Sequence, residues 1–101
     1  MEPLLSWWAE LNNLNEDPAS RAQRYITTLT GVLEETRTKT NDASVAAADI
    51  RGVSDSIQRY LRDAEHYLKE ERPSTALASV AYAEGLLDAL VLLGLATVPT
   101  E

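Results

Sequence analysis

The sequence predicts an all-α fold, a small antiparallel bundle of three main helices preceded by a short N-terminal helix. Two observations carry this prediction. Apolar residues recur three and four apart through four successive segments, which is the period that lines one face of a helix. Prolines at positions 3, 18, 73 and 99 fall at the edges of those segments, as expected of residues that start helices or prevent their continuation. No stretch alternates with the period of two that marks a strand.

At 101 residues and 11.1 kDa the chain can build one hydrophobic core, burying about 60–70% of its unfolded surface. A single domain over residues 1–101 is expected, with an additional N-terminal helix over 1–16 and a core over 17–95. Hydrophobic residues make up 45% and charged residues 25% of the chain, so it should fold as a globule.

In the first segment Leu4, Leu5, Trp7, Trp8, Leu11 and Leu14 form the apolar stripe, and Pro3 suits the first turn. Asn15-Glu16-Asp17-Pro18 ends it, with Asp17 as N-cap and Pro18 as first residue of the next helix. That helix carries Ala22, Tyr25, Ile26, Leu29, Val32, Leu33 and Thr36 on one face, and its Gly31 weakens it by up to ~1 kcal/mol relative to alanine unless the site needs a close backbone contact. A polar connection follows from Thr38 to Ser44, where Asn41, Asp42 and Ser44 are cap candidates.

The third helix starts between residues 44 and 54 and runs to Glu71, with Ile50, Val53, Ile57, Tyr60, Ala64 and Tyr67 as its seam. Gly52 with Ser54 marks an expected kink or a later start. Pro73 ends the segment and Ser74 is the expected cap of the fourth helix. From Ala76 to Leu95 apolar residues occupy nearly every face, so this helix is expected at the centre, surrounded by neighbours or covered by a partner. Ala81, Gly85 and Ala89 form a row of small side chains on it, and Gly85 is expected in a tight interhelical contact. Gly94 suits the C-cap and Pro99 closes the tail. Tyr60, Ala64, Tyr67, Ala76, Val80 and Ala83 resemble in spacing a single tetratricopeptide repeat, which implies an antiparallel hairpin of the last two helices.

Composition narrows function mainly by exclusion. A formal net charge of -7 and a pI near 4.6 disfavour general nucleic-acid binding, which depends on cationic side chains neutralising phosphates. Without cysteine there is no disulfide framework and no thiolate nucleophile or ligand. The N-terminus lacks the basic start of a secretory signal, so a cytoplasmic location is expected. The apolar run Ala76 to Val98 is read as a core helix and not a membrane span, because Glu84 and Asp88 sit within it.

Three groups are candidates for chemistry or binding. Glu84 and Asp88, one turn apart, have the spacing of a carboxylate pair that shares a proton or a metal, but facing ligands are lacking and a solvated helix edge is expected. His66 with Arg59 and Arg62 resembles the histidine and arginine of HEPN domains, which implies RNA cleavage or nucleotide binding as the alternative function; the spacing departs from that family's, and a surface histidine in a salt-bridged helix is expected. Trp7 and Trp8 are large apolar anchors suited to packing or to a partner. Phosphate loops, nucleophile elbows and metal-binding histidine pairs are missing, so no cofactor or metal is expected.

Tyr60-Leu-Arg-Asp-Ala-Glu-His-Tyr-Leu-Lys, followed by Ala76 through Leu90 with Tyr82-Ala-Glu-Gly-Leu-Leu-Asp at its centre, resembles the archaeal family called domain of unknown function 357. The likeness spans roughly residues 17–95. It implies a compact helical bundle in an archaeal cytosol and brings no activity or catalytic residue with it. The functional expectation is a non-enzymatic interaction or structural module that self-associates or binds an unidentified protein partner, with Trp7, Trp8, Tyr82, Gly85 and Ala89 as candidate interface residues and no membrane contact.

Overall fold

A computed structural model describes residues 16–39 and 45–99. The expected N-terminal helix with Trp7 and Trp8, and the cap candidates Asn41, Asp42 and Ser44, lie outside the described residues. Within them are three helices and one minimal strand pair: α1 (Pro18–Glu34), β1 (Arg37–Thr38), α2 (Ala47–Lys69), α3 (Pro73–Leu92) and β2 (Ala96–Thr97).

Helix α1 starts as the sequence predicts. Asp17 is extended, Pro18 opens the first turn, and the Asp17 carboxylate accepts from the Ser20 backbone N–H at 2.9 Å and from its hydroxyl at 3.0 Å. Beside it the Glu16 carboxylate accepts from Nε of Arg24 at 3.0 Å and from the Arg24 terminal nitrogen, with Nε of Arg21 at 3.8 Å. The hydrogen bond from Arg24 holds the Glu16 carboxyl below the usual carboxylate range, and the Ser20 N–H does the same for Asp17.

A carboxyl whose folded pKa is depressed adds stability that is complete above its unfolded pKa and is lost as pH falls through the folded value. The melting temperature is therefore expected to hold steady from neutral pH down to about 5 and to fall below about 4, where free Asp and Glu titrate. Thermal melts across this range check it. Asp17→Asn, which keeps an accepting oxygen but does not titrate, should flatten part of the fall, and an unchanged slope would count against the Asp17 contribution.

Helix α2 follows an extended Ala46 that supplies no side-chain cap, and it runs unbroken through Gly52 and Ser54. The expected interruption is absent because α2 packs Ile50 on one side of that pair and Ile57 on the other into the same core, at 3% and 2% exposure. Tertiary burial outweighs the roughly 1 kcal/mol propensity cost of one glycine. At the far end Glu71 takes the left-handed conformation with φ 61°. Its N–H donates to the Leu68 carbonyl at 3.1 Å, and the Arg72 N–H donates to the Tyr67 carbonyl at 2.9 Å. Those two bonds form a Schellman motif with glutamate where glycine is usual. A non-glycine residue there costs roughly 1–2 kcal/mol, so Glu71→Gly is expected to stabilise the protein by about 1 kcal/mol after glycine's larger unfolded-state entropy is deducted. Denaturant unfolding checks it; a loss of stability would show that the Glu71 side chain contributes more than the strain costs.

Pro73 forces Arg72 out of helical geometry and itself becomes the first residue of α3. Ser74 consequently lies inside the first turn and is not the cap the sequence suggested. Helix α3 ends in a second Schellman motif, in which Gly94 has φ 75°, its N–H donates to Val91 at 2.9 Å, and the N–H of buried Leu95 donates to Leu90 at 2.8 Å.

Leu95 leads directly into β2. Arg37 pairs with Thr97 and Thr38 with Ala96, antiparallel, and the Lys39 N–H donates to the Leu95 carbonyl at 2.9 Å. A strand of two residues is too short for alternation to register in a sequence, which is why none was expected. This pairing sets the C-terminal ends of α1 and α3 side by side, and the three-residue turn Glu70 to Arg72 reverses α2 into α3. Consecutive helices alternate in direction, and the α2–α3 hairpin is the one its small-residue spacing implied. Ala64, Ala76 and Ala83 have no exposed surface, and Leu29, Ile57, Val80 and Leu87 are the largest fully enclosed side chains.

Candidate interaction surface

Helix α3 buries one face only. Ala76, Val80, Ala83, Glu84, Leu87 and Leu90 point into the bundle, at the three- and four-residue spacing of a single stripe. Only these six of its 20 residues are buried, so the expectation of a central helix surrounded on all sides is not met within one copy. By length and composition α3 is also the one described helix long and apolar enough to cross a membrane.

The opposite face of α3 is exposed at Ser74, Ala78, Tyr82, Gly85, Ala89 and Leu92, again spaced three and four apart. None of these carries a charge. Tyr82 is 55% exposed, Leu92 58% and Leu93 65%, and these are the large hydrophobic residues that stand out into solvent among those described. Scattered exposed leucines need no explanation, but an uncharged stripe running the length of a helix marks an interaction surface.

Gly85 lies on this stripe and not in a tight contact, since a Cβ built there meets nothing within 4 Å. The expected intrachain contact is corrected accordingly, and Gly31 is equally open. Adding a methyl group at Gly85 should act through helix propensity alone. Gly85→Ala is expected to raise the melting temperature by up to ~4–8 °C, corresponding to as much as about 1 kcal/mol, when measured at the lowest workable concentration. A fall would show that something presses on that site.

Beside the stripe the ring of Tyr82 stacks on that of Tyr60 from α2, with centroids 4.5 Å apart and planes 17° from parallel. The two tyrosines are equidistant in sequence from Glu71, so the turn that makes the hairpin also sets them opposite each other. Next to the pair is a shallow groove bordered by Gly52, Val53, Ser56 and Leu86. In the sequence Tyr60 falls on the α2 seam and Tyr82 among the interface candidates, and their symmetry about the turn is the signal that joins them.

The other candidates are dispersed. His66 is exposed, with Nε2 3.3 Å from Oε1 of Glu70 one turn on, and its ring meets the Tyr67 edge at 5.6 Å. Arg59 donates to the Ser56 hydroxyl at 3.2 Å and lies 5.8 Å from the centre of the Tyr60 ring, while Arg62 is exposed. His66 thus has the surroundings of the surface histidine that was expected. Glu84 does not form a solvated edge. It is 5% exposed on the buried face, whereas Asp88 is half-buried, so the two carboxylates have different environments. The period of α3 already put Glu84 in register with Val80 and Leu87, and that was the signal overlooked. Among the described residues no group of three or more His, Cys, Asp or Glu side chains is placed to hold a metal ion.

Residues 24–96 match the family model described as protein of unknown function DUF357. The chain belongs to this family. The match begins inside α1, takes in β1, α2 and α3 and ends at the first residue of β2, so the DUF357 unit contains the whole exposed stripe and the Tyr60–Tyr82 stack. Glu16 and Asp17, which anchor the start of α1, fall before it. No match was found among curated proteins or among solved structures.

Proposed function

We propose that this DUF357 protein is a non-enzymatic interaction module that self-associates through the exposed face of α3. The observation that supports this reading is the uncharged stripe from Ser74 to Leu92, on a chain whose net charge is -7. Acidic chains repel one another, and a face without carboxylates is where two of them approach at least electrostatic cost. Covering Tyr82, Leu92 and Leu93 supplies the hydrophobic driving force, at roughly 25 cal/mol per Å² of apolar surface removed from water. Tyrosine at the centre of such a face, bordered by small side chains, has the character of an interface anchor.

Light scattering across a dilution series tests the proposal. A mass of twice the 11.1 kDa chain at micromolar concentration, falling toward the chain mass on dilution, is the expected result. A single species of 11.1 kDa throughout would remove self-association.

A further inference from the structure

We infer that two copies pair through α3 in antiparallel orientation, about a two-fold axis passing near Gly85 and Leu86. This rests on the self-association proposed above and adds to it the identity, direction and register of the occupant. Along the exposed face the side chains run small, large, small, small, large: Ala78, Tyr82, Gly85, Ala89 and Leu93, the helical C-cap residue just past α3, which stands beside exposed Leu92. Reversing the helix about the midpoint between Gly85 and Leu86 sets Tyr82 over Ala89 of the second copy and Leu93 over Ala78. Each large side chain meets a small one, and the same contacts repeat on the other side of the axis, as an isologous interface requires.

A parallel pair in register does the reverse. It stacks Tyr82 on Tyr82 and Leu93 on Leu93, which holds the backbones apart and leaves Gly85 and Ala89 facing a void. Interfaces that pack at interior density do not leave such gaps. Electrostatics agree, because antiparallel helices set opposite dipole ends together and the stripe brings no carboxylate into the seam.

The surroundings supply a seat for the second helix. The stripe from Ser74 to Leu92 is roughly 27 Å long at 1.5 Å per residue, yet only one helix wide, and a stable interface needs about 800 Å² from each partner. The groove along α2, lined by Val53, Leu86 and Gly52 and bearing the Asp49 carboxylate on its α2 side, widens the contact on one flank. Tyr82 is already held by its stack on Tyr60, so little side-chain freedom is lost when it is covered.

Cysteine cross-linking tests the orientation, since the chain has no cysteine of its own. Ala78→Cys and Leu93→Cys both lie at exposed positions, and melts matching the wild type would confirm that each variant folds. Mixed and oxidised at a concentration where the wild type is dimeric, they should form the mixed disulfide at least tenfold more than either forms a disulfide alone. In the antiparallel pair identical positions stand roughly 22 Å apart along the axis, beyond the ~7 Å Cα separation a disulfide can span. Same-residue disulfides in Ala78→Cys alone, or no mixed disulfide from a dimeric wild type, would overturn the antiparallel register while leaving self-association in place. A wild type that is monomeric at every concentration removes the underlying proposal instead.

Discussion

Leu87→Ala is expected to destabilise the protein by roughly 2–5 kcal/mol, lowering its melting temperature by roughly 10–30 °C. Leu87 is 1% exposed and belongs to the same core cluster as Ile57, Val80 and Leu90. Truncation removes buried methyl groups and leaves a cavity that rigid helices on either side cannot close. The adjacent Leu86→Ala gives the comparison, because Leu86 is half-buried at the groove and its loss should cost less. Thermal melts of both variants at one concentration read the difference. A larger effect at Leu86 would mean that the two faces of α3 are assigned the wrong way round.

Ala89→Glu is expected to weaken self-association at least 100-fold, which is about 2.7 kcal/mol, while leaving the fold of the single chain intact. Ala89 is exposed on the stripe, so a glutamate there is solvated in the monomer. In the pair it would be buried beneath Tyr82 of the second copy, against a partner that is itself acidic, and an uncompensated charge in an interface costs several kcal/mol. Thr28→Glu, exposed on α1, adds the same charge elsewhere and serves as control. Sedimentation equilibrium should find the Thr28 variant as dimeric as the wild type and the Ala89 variant monomeric. Equal weakening by both would assign the effect to net charge and not to the α3 face.

Most of the fold was legible in the sequence because it is written in local signals. Asp17-Pro18 specified the start of α1, Gly94 the end of α3, and the three- and four-residue spacing the buried faces of α1 and α2. What stayed hidden depends on how elements meet. The strand pair Arg37–Thr38 with Ala96–Thr97 is two residues long and exists because α1 and α3 end at the same edge. Glu71 occupies a left-handed position that sequence preference gives to glycine, at the Schellman turn that joins α2 to α3. Glu84 and Gly85 show the limit most sharply. An almost wholly apolar helix has no polar face to orient it, so the sequence left open which side faces inward; packing resolved it by burying the glutamate and exposing the glycine.

The candidate surface was half legible for the same reason. Tyr82, Gly85 and Ala89 were expected at an interface on the strength of apolar excess and small side chains, and the structure exposes all three on one stripe. Leu92 and Leu93 escaped notice because a sequence that places the helix end at Gly94 does not show that nothing covers the last apolar turn before it.

Backbone amide resonances followed by NMR through a dilution series test the central claim most directly, because they locate the association as well as detect it. The account predicts that shifts depending on concentration cluster at Ala78, Tyr82, Gly85, Ala89, Leu92 and Leu93, with smaller changes along the Gly52–Tyr60 flank and none on the exposed residues of α1. Spectra that do not change with concentration, or changes confined to residues away from α3, would contradict it.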